Sequence, residues 1–124
     1  MSKFKAQGFG GTFRNARKGF RLVVRSEINI RIHLIITVLV FIAAYLLEFS
    51  ALEYCALLFA VAIVIISEML NTAIEFALDS IYHNRYSRMV GMAKDISAGA
   101  VLFATFTSIV IGMILFGSKL SALF

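Results

Sequence analysis

Proline is absent from the 124 residues, cysteine occurs once, and only eight positions are glycine. A chain without proline and poor in glycine lacks the punctuation of a turn-rich β fold. The single cysteine, Cys55, excludes a disulfide-stapled scaffold. Charge is scarce too, at 15% of residues, where soluble domains carry about 25%. The counterpart is an apolar excess of 60%, with a mean hydropathy of +0.90. That excess excludes a disordered chain and exceeds what one small water-facing core consumes. Length allows one small domain. A small all-α integral membrane protein remains.

The charges that are present are unevenly placed. Eight of the twelve cations precede residue 32: Lys3, Lys5, Arg14, Arg17, Lys18, Arg21, Arg25 and Arg31. Arg85, Arg88 and Lys94 share one later loop, which leaves Lys119 alone near the C-terminus. Between them lie three apolar stretches: Ile32–Leu47, Tyr54 onward to Glu68, and Ile96–Ser118. A helix crossing the hydrocarbon core needs about 20 residues. The third stretch meets that alone, and the first does so with snorkelling Arg31 and His33. The second has 14 residues before Glu68, so to span it must carry Glu68 in the membrane or at its inner boundary. We therefore expect spans at about 32–48, 53–72 (continuing as a cytoplasmic helix to about 82) and 96–117. The positive-inside rule places the N-terminus and the Arg85–Lys94 loop in the cytoplasm, and the Glu48–Glu53 link and the C-terminus outside.

The basic arm has no secretory-signal layout, because about thirty residues precede the apolar run. Phe13, Ala16, Phe20 and Val23 or Val24 recur at helical spacing, with Arg14, Arg17, Lys18, Arg21 and Arg25 opposite. The pattern predicts an amphipathic surface helix over about 8–30 on an anionic membrane. The arm lacks a nucleic-acid-binding motif, and no nucleic acid partner is expected.

Chemistry concentrates in Ser67–Asp79, SEMLNTAIEFALD. On a helix, Glu68, Asn71, Glu75 and Asp79 fall within about 80° of arc. Carboxylates four apart repel, and near lipid an uncompensated charge costs about 2.5–3.5 kcal/mol. The stripe needs a cation, a metal, a proton or a partner helix. Hard oxygen ligands beside a lysine suit Mg²⁺, which takes one or two carboxylates plus phosphates. Glu27 could approach the stripe from the arm, and Lys94 and Asp95 from the third span. The bland alternative is a set of interhelical salt bridges to Arg25, Arg31, Arg85 and Lys94. No phosphate-binding glycine loop, Ser-His-Asp set or zinc spacing is present; Gly8–Gly11 reads as a flexible lead-in.

These residues carry a resemblance. Lys18-Gly19 with Glu27 and Arg31, Glu68-x-x-Asn71-Thr72-Ala73-Ile74-Glu75 with Asp79, and Ala93-Lys94-Asp95 before Ala98-Gly99-Ala100-Val101 resemble the prokaryotic diacylglycerol kinase family, which includes undecaprenol kinases. The likeness runs from about Phe13 to Gly112. It implies a surface helix plus three transmembrane helices in a homotrimer, with sites shared between neighbours. It further implies transfer of the γ-phosphate of Mg-ATP to a lipid hydroxyl. By this resemblance Glu68 is the general base, Glu27 and Glu75 bind the metal, and Asn15, Glu27, Glu75, Arg85, Tyr86, Ser87, Lys94 and Asp95 bind the nucleotide. Arg31, Glu68, Asn71 and Ala98 lie near the acceptor. His33 stands where enterobacterial members carry an acidic residue, and Ala98 where they carry Ser. Both departures, with Ala98-Gly99-Ala100-Val101, look more like the undecaprenol kinase branch. Ser87 replaces a histidine common at that place.

Other readings stay open from the residues alone: a diacylglycerol acceptor, a small proton-coupled transporter using the intramembrane Glu68, or a structural subunit. Cys55 reads as a small apolar residue, His33 as interfacial packing or a headgroup contact, and His83 as a loop residue. Gly99, Ala100, Ala104 and Ser108 give the third span a face for close helix packing.

Overall fold

The computed structural model describes residues 8–124, so Lys3 and Lys5 of the basic arm lie outside the described residues. Four helices follow in order: α1 Phe9–Ser26, α2 Ile28–Leu46, α3 Ala51–Tyr82 and α4 Arg88–Leu123. The last three are each long and apolar enough to cross a membrane.

The surface helix expected over about 8–30 is interrupted. Glu27 is extended (φ −120°, ψ 114°), and a new helix starts at Ile28. Glu27 serves as C-cap of one helix and N-cap of the next. Its N–H donates to Val23 O, and its carbonyl accepts from Arg31 N. Val23 and Ile30 are buried on the two sides of this joint, while Phe13 and Phe20 stay exposed. Gly10 and Gly11 lie in the first turn of α1, not in a flexible lead-in.

A tight link joins α2 to α3. Leu47, Glu48 and Phe49 N–H groups return to the carbonyls of Ala43, Tyr45 and Ala44. Glu48 takes a left-handed conformation to make that turn. Ser50 then caps α3 reciprocally: its Oγ accepts from Glu53 N, and Glu53 Oε1 accepts from Ser50 N. This satisfies two of the free donors at a helix start. At the far end, His83 and Asn84 adopt left-handed conformations and return to Asp79 O. Ser87 Oγ accepts from Val90 N to open α4.

The principal packing seam is α3 against α4. On α3 the buried positions are Leu57, Ala60, Val64, Glu68 and Thr72, and on α4 Val90, Ser97 and Ala104. The first set steps by three or four and the second by seven, as expected for two antiparallel helices sharing one narrow stripe. Phe49 seals the end of the seam nearest the α2–α3 link with Phe116 and Tyr54. There Lys119, the cation the charge rule left over, meets Glu53 at 3.1 Å and donates to Glu48 O. Cys55 is exposed.

Candidate active site

The polar residues of α3 lie toward its other end. Glu68 is buried at 5% exposure. Its Oε1 lies 3.4 Å from His33 Nε2 on α2. To the expected interfacial packing or headgroup contact of His33 the structure adds a specific partner: the ring meets the one carboxylate of α3 that solvent hardly reaches.

One turn on, Asn71 bridges helices. Ser97 Oγ of α4 donates to Asn71 Oδ1 at 2.6 Å, and Asn71 Nδ2 donates to Glu75 Oε1 at 3.4 Å. The Glu75 carboxylate, which only accepts, takes the NH₂ end of the amide and leaves Oδ1 to the Ser97 hydroxyl, which can donate. Ser97 was not among the expected site residues. Ala98, which was, is exposed on the next position round the helix. The available signal was the spacing Val90–Ser97–Ala104, which marks a buried face.

Two further turns along α3, Asp79 Oδ1 accepts from Lys94 Nζ at 2.6 Å. Both side chains are about one-third exposed. Around this pair Asn84, Arg85, Tyr86, Val90, Gly91, Lys94 and Asp95 line a shallow concavity. It gathers four of the expected nucleotide contacts. Gly91 permits it, since a Cβ there would come within 3.1 Å of the Tyr86 ring. Ser87 does not line the concavity, and its hydroxyl is engaged as the cap of α4.

The remaining expected residues are more dispersed. Arg31 Nη1 donates to Val24 O at 2.9 Å and Arg25 O at 2.8 Å, so it ties α2 to the end of α1. Asn15 lies exposed on α1. Glu27 is half-buried in the joint. The salt-bridge alternative is realised at Lys94–Asp79, whereas Arg31 turns to main-chain carbonyls.

For Mg²⁺, the donor chemistry fits. Glu75 keeps Oε2 outside the Asn71 hydrogen bond, and Glu27 offers a second hard oxygen donor from the joint. Among the described residues no three His, Cys, Asp or Glu side chains converge as a complete cage. Mg²⁺ needs none, because phosphate oxygens and water complete its shell.

An apolar cavity between α1 and α3, lined by Gly19, Leu22, Val23, Met69, Thr72, Ala73 and Phe76, adjoins this region. On the α4 side, Ser67, Leu70, Asn71, Ile74, Ile96 and Ser97 line a second groove. Chemically the ensemble is a graded stripe: a buried carboxylate, an oriented amide–carboxylate pair, then an accessible lysine in a polar concavity.

Comparison with known proteins matches residues 14–116 to the family described as prokaryotic diacylglycerol kinase. A diacylglycerol kinase of Synechocystis is 36% identical over 101 residues, which cover 82% of this chain and 58% of that protein. The chain thus spans little more than half of that relative's length. An undecaprenol kinase of Bacillus subtilis is 32% identical over 112 residues, 90% of each chain. A diacylglycerol kinase of Escherichia coli K12 is 33% identical over 101 residues, 82% of each.

Proposed function

The chain belongs to the prokaryotic diacylglycerol kinase family, a family of lipid kinases, and from that premise we propose that it transfers the γ-phosphate of Mg-ATP to undecaprenol. The observation that carries this reading is the graded stripe, in which a carboxylate buried on α3 leads along that helix face to Asp79 and its partner, the partly exposed Lys94 of α4. A lipid acceptor can present its hydroxyl at the depth of Glu68 while its tail stays in the bilayer. A nucleotide approaches from water, where Lys94 stands.

In the proposed reaction Glu68 takes the proton from the acceptor hydroxyl, whose oxygen forms the new bond to the γ-phosphorus as ADP leaves. Phosphoryl transfer depends mainly on positioning and charge neutralisation. Lys94 neutralises phosphate charge, with Asp95, Arg85, Tyr86, Ser87 and Asn15 as nucleotide contacts. Glu27 and Glu75 hold Mg²⁺, which screens the phosphate oxygens when bound. Asn71, Arg31 and Ala98 border the acceptor. Burial of Glu68 limits access of water, the competing acceptor.

Undecaprenol is favoured over diacylglycerol by the Bacillus subtilis relative, which matches 90% of both chains, and by the residues His33 and Ala98. The proposed setting is the inner membrane, with the N-terminus cytoplasmic, the C-terminus outside, α1 on the inner surface and three copies per assembly. The test is transfer of labelled phosphate from ATP in mixed micelles offering undecaprenol and diacylglycerol separately. We expect Mg²⁺-dependent product, more on undecaprenol. Greater product on diacylglycerol would reassign the acceptor, and no product on either from folded protein would overturn the kinase reading.

A further inference from the structure

A carboxylate as deeply buried as Glu68 requires a donor, because an unpartnered buried anion is strongly disfavoured. Among the described residues, the chargeable donor recorded against it is His33, 3.4 Å away on α2. Lys94 is occupied with Asp79, and Arg31 with the carbonyls of α1. Arg31 and His33 lie two positions apart on α2, so they point about 200° apart round the helix. The same turn therefore grips α1 on one side and the α3 carboxylate on the other.

We infer that His33 is a positioning residue for phosphoryl transfer: its imidazole N–H holds Glu68 Oε1 and leaves Oε2 to receive the acceptor's proton. This rests on Glu68 being the base. A glutamate side chain has three rotatable bonds, and a general base must come within about 2.6–3.2 Å of its target. A displacement of about 1 Å at a reacting group costs on the order of 10²-fold in rate. A donor on one oxygen removes rotation about the last of those bonds. In the step itself the acceptor O–H bond breaks, its oxygen bonds to the γ-phosphorus, the bond to ADP breaks, and the proton resides on Oε2.

The test compares the full-length protein with E68Q, H33M and H33Q in micelles containing undecaprenol. Methionine preserves bulk without a donor, and the glutamine amide supplies an N–H at similar reach. We expect H33M to lose at least tenfold in kcat with KM for ATP within twofold, and H33Q to recover most of that loss. A carboxylate infrared band, assigned by its disappearance in E68Q, should shift in H33M and return in H33Q. The band remains readable should H33M turn over poorly for other reasons. Wild-type kcat in H33M, or H33Q no better than H33M, overturns the positioning role while E68Q is inactive. An active E68Q overturns the base assignment itself.

Discussion

Single hydrogen bonds at the α3–α4 seam set how site carboxylates are presented. Without the Ser97 hydroxyl the Asn71 amide loses its tether to α4, so the side chain that orients Glu75 is less firmly held. Ser97→Ala should raise the Mg²⁺ concentration for half-maximal transfer several-fold, read by metal titration of activity. It should also lower stability by about 0.5–1.5 kcal/mol, the net contribution of one hydrogen bond between partly buried groups, read by thermal unfolding in detergent. Lys94→Met should behave differently. Its partner Asp79 is partly exposed, and such pairs contribute about 0–1 kcal/mol, so stability should hardly change while KM for ATP rises at least tenfold. The stripe Glu68–Asn71–Glu75–Asp79 was legible in the sequence, because helical periodicity alone aligns it. Ser97 was not, since a lone serine within a charge-free run carries no polar pattern. Its meaning comes from facing Asn71 across the seam, which one helix's periodicity does not encode. His33 was opaque for the same reason.

At the scale of elements, hydropathy located three apolar stretches but measured lipid compatibility, not backbone continuity. α4 begins at Arg88, eight residues before the apolar run, because Lys94 and Asp95 are tolerated in a helix that has an N-cap and a partner. α3 has 32 residues, about 48 Å at 1.5 Å per residue, against a hydrocarbon core of about 30 Å. The surplus is what puts Glu75 and Asp79 on the same rigid rod as Glu68. The break at Glu27 had no glycine or proline to announce it. The α2–α3 link yields a prediction of its own. Glu48 adopts a left-handed conformation, which costs a non-glycine residue roughly 1–2 kcal/mol, and the contact it makes with Lys119 uses its carbonyl. Glu48→Gly keeps that contact and relieves the conformation. It should raise stability by roughly 0.5–1 kcal/mol once the added freedom of the unfolded chain is counted, measured by denaturation in detergent.

For the whole molecule, exposed apolar side chains cover α2 and the outer faces of α4, among them Ile35, Leu39, Ile42, Leu102, Phe106 and Met113. Lipid and neighbouring copies would both cover such faces. The proposed trimer makes a separable prediction: light scattering of the detergent-solubilised protein should give three times the mass of one chain. If sites are shared between copies, mixing unfolded E68Q and K94M subunits and refolding them together should restore, at low ATP, part of the transfer activity that each lacks alone. Equal inactivity of the mixture, with assembly intact, would place each site within one chain.

The joint between α1 and α2 is a single residue, and a hinge that short has no play. Any tilt of α1 swings the Glu27 carboxylate with it, while Arg31 ties the two arms of the hinge together. With α1 lying on the bilayer, the plane of the lipid headgroups would act as a jig that sets the angle of the proposed metal ligand. Surface charge and curvature of the membrane would then tune the proposed transfer mechanically, through a lever whose pivot is the residue proposed to hold the metal.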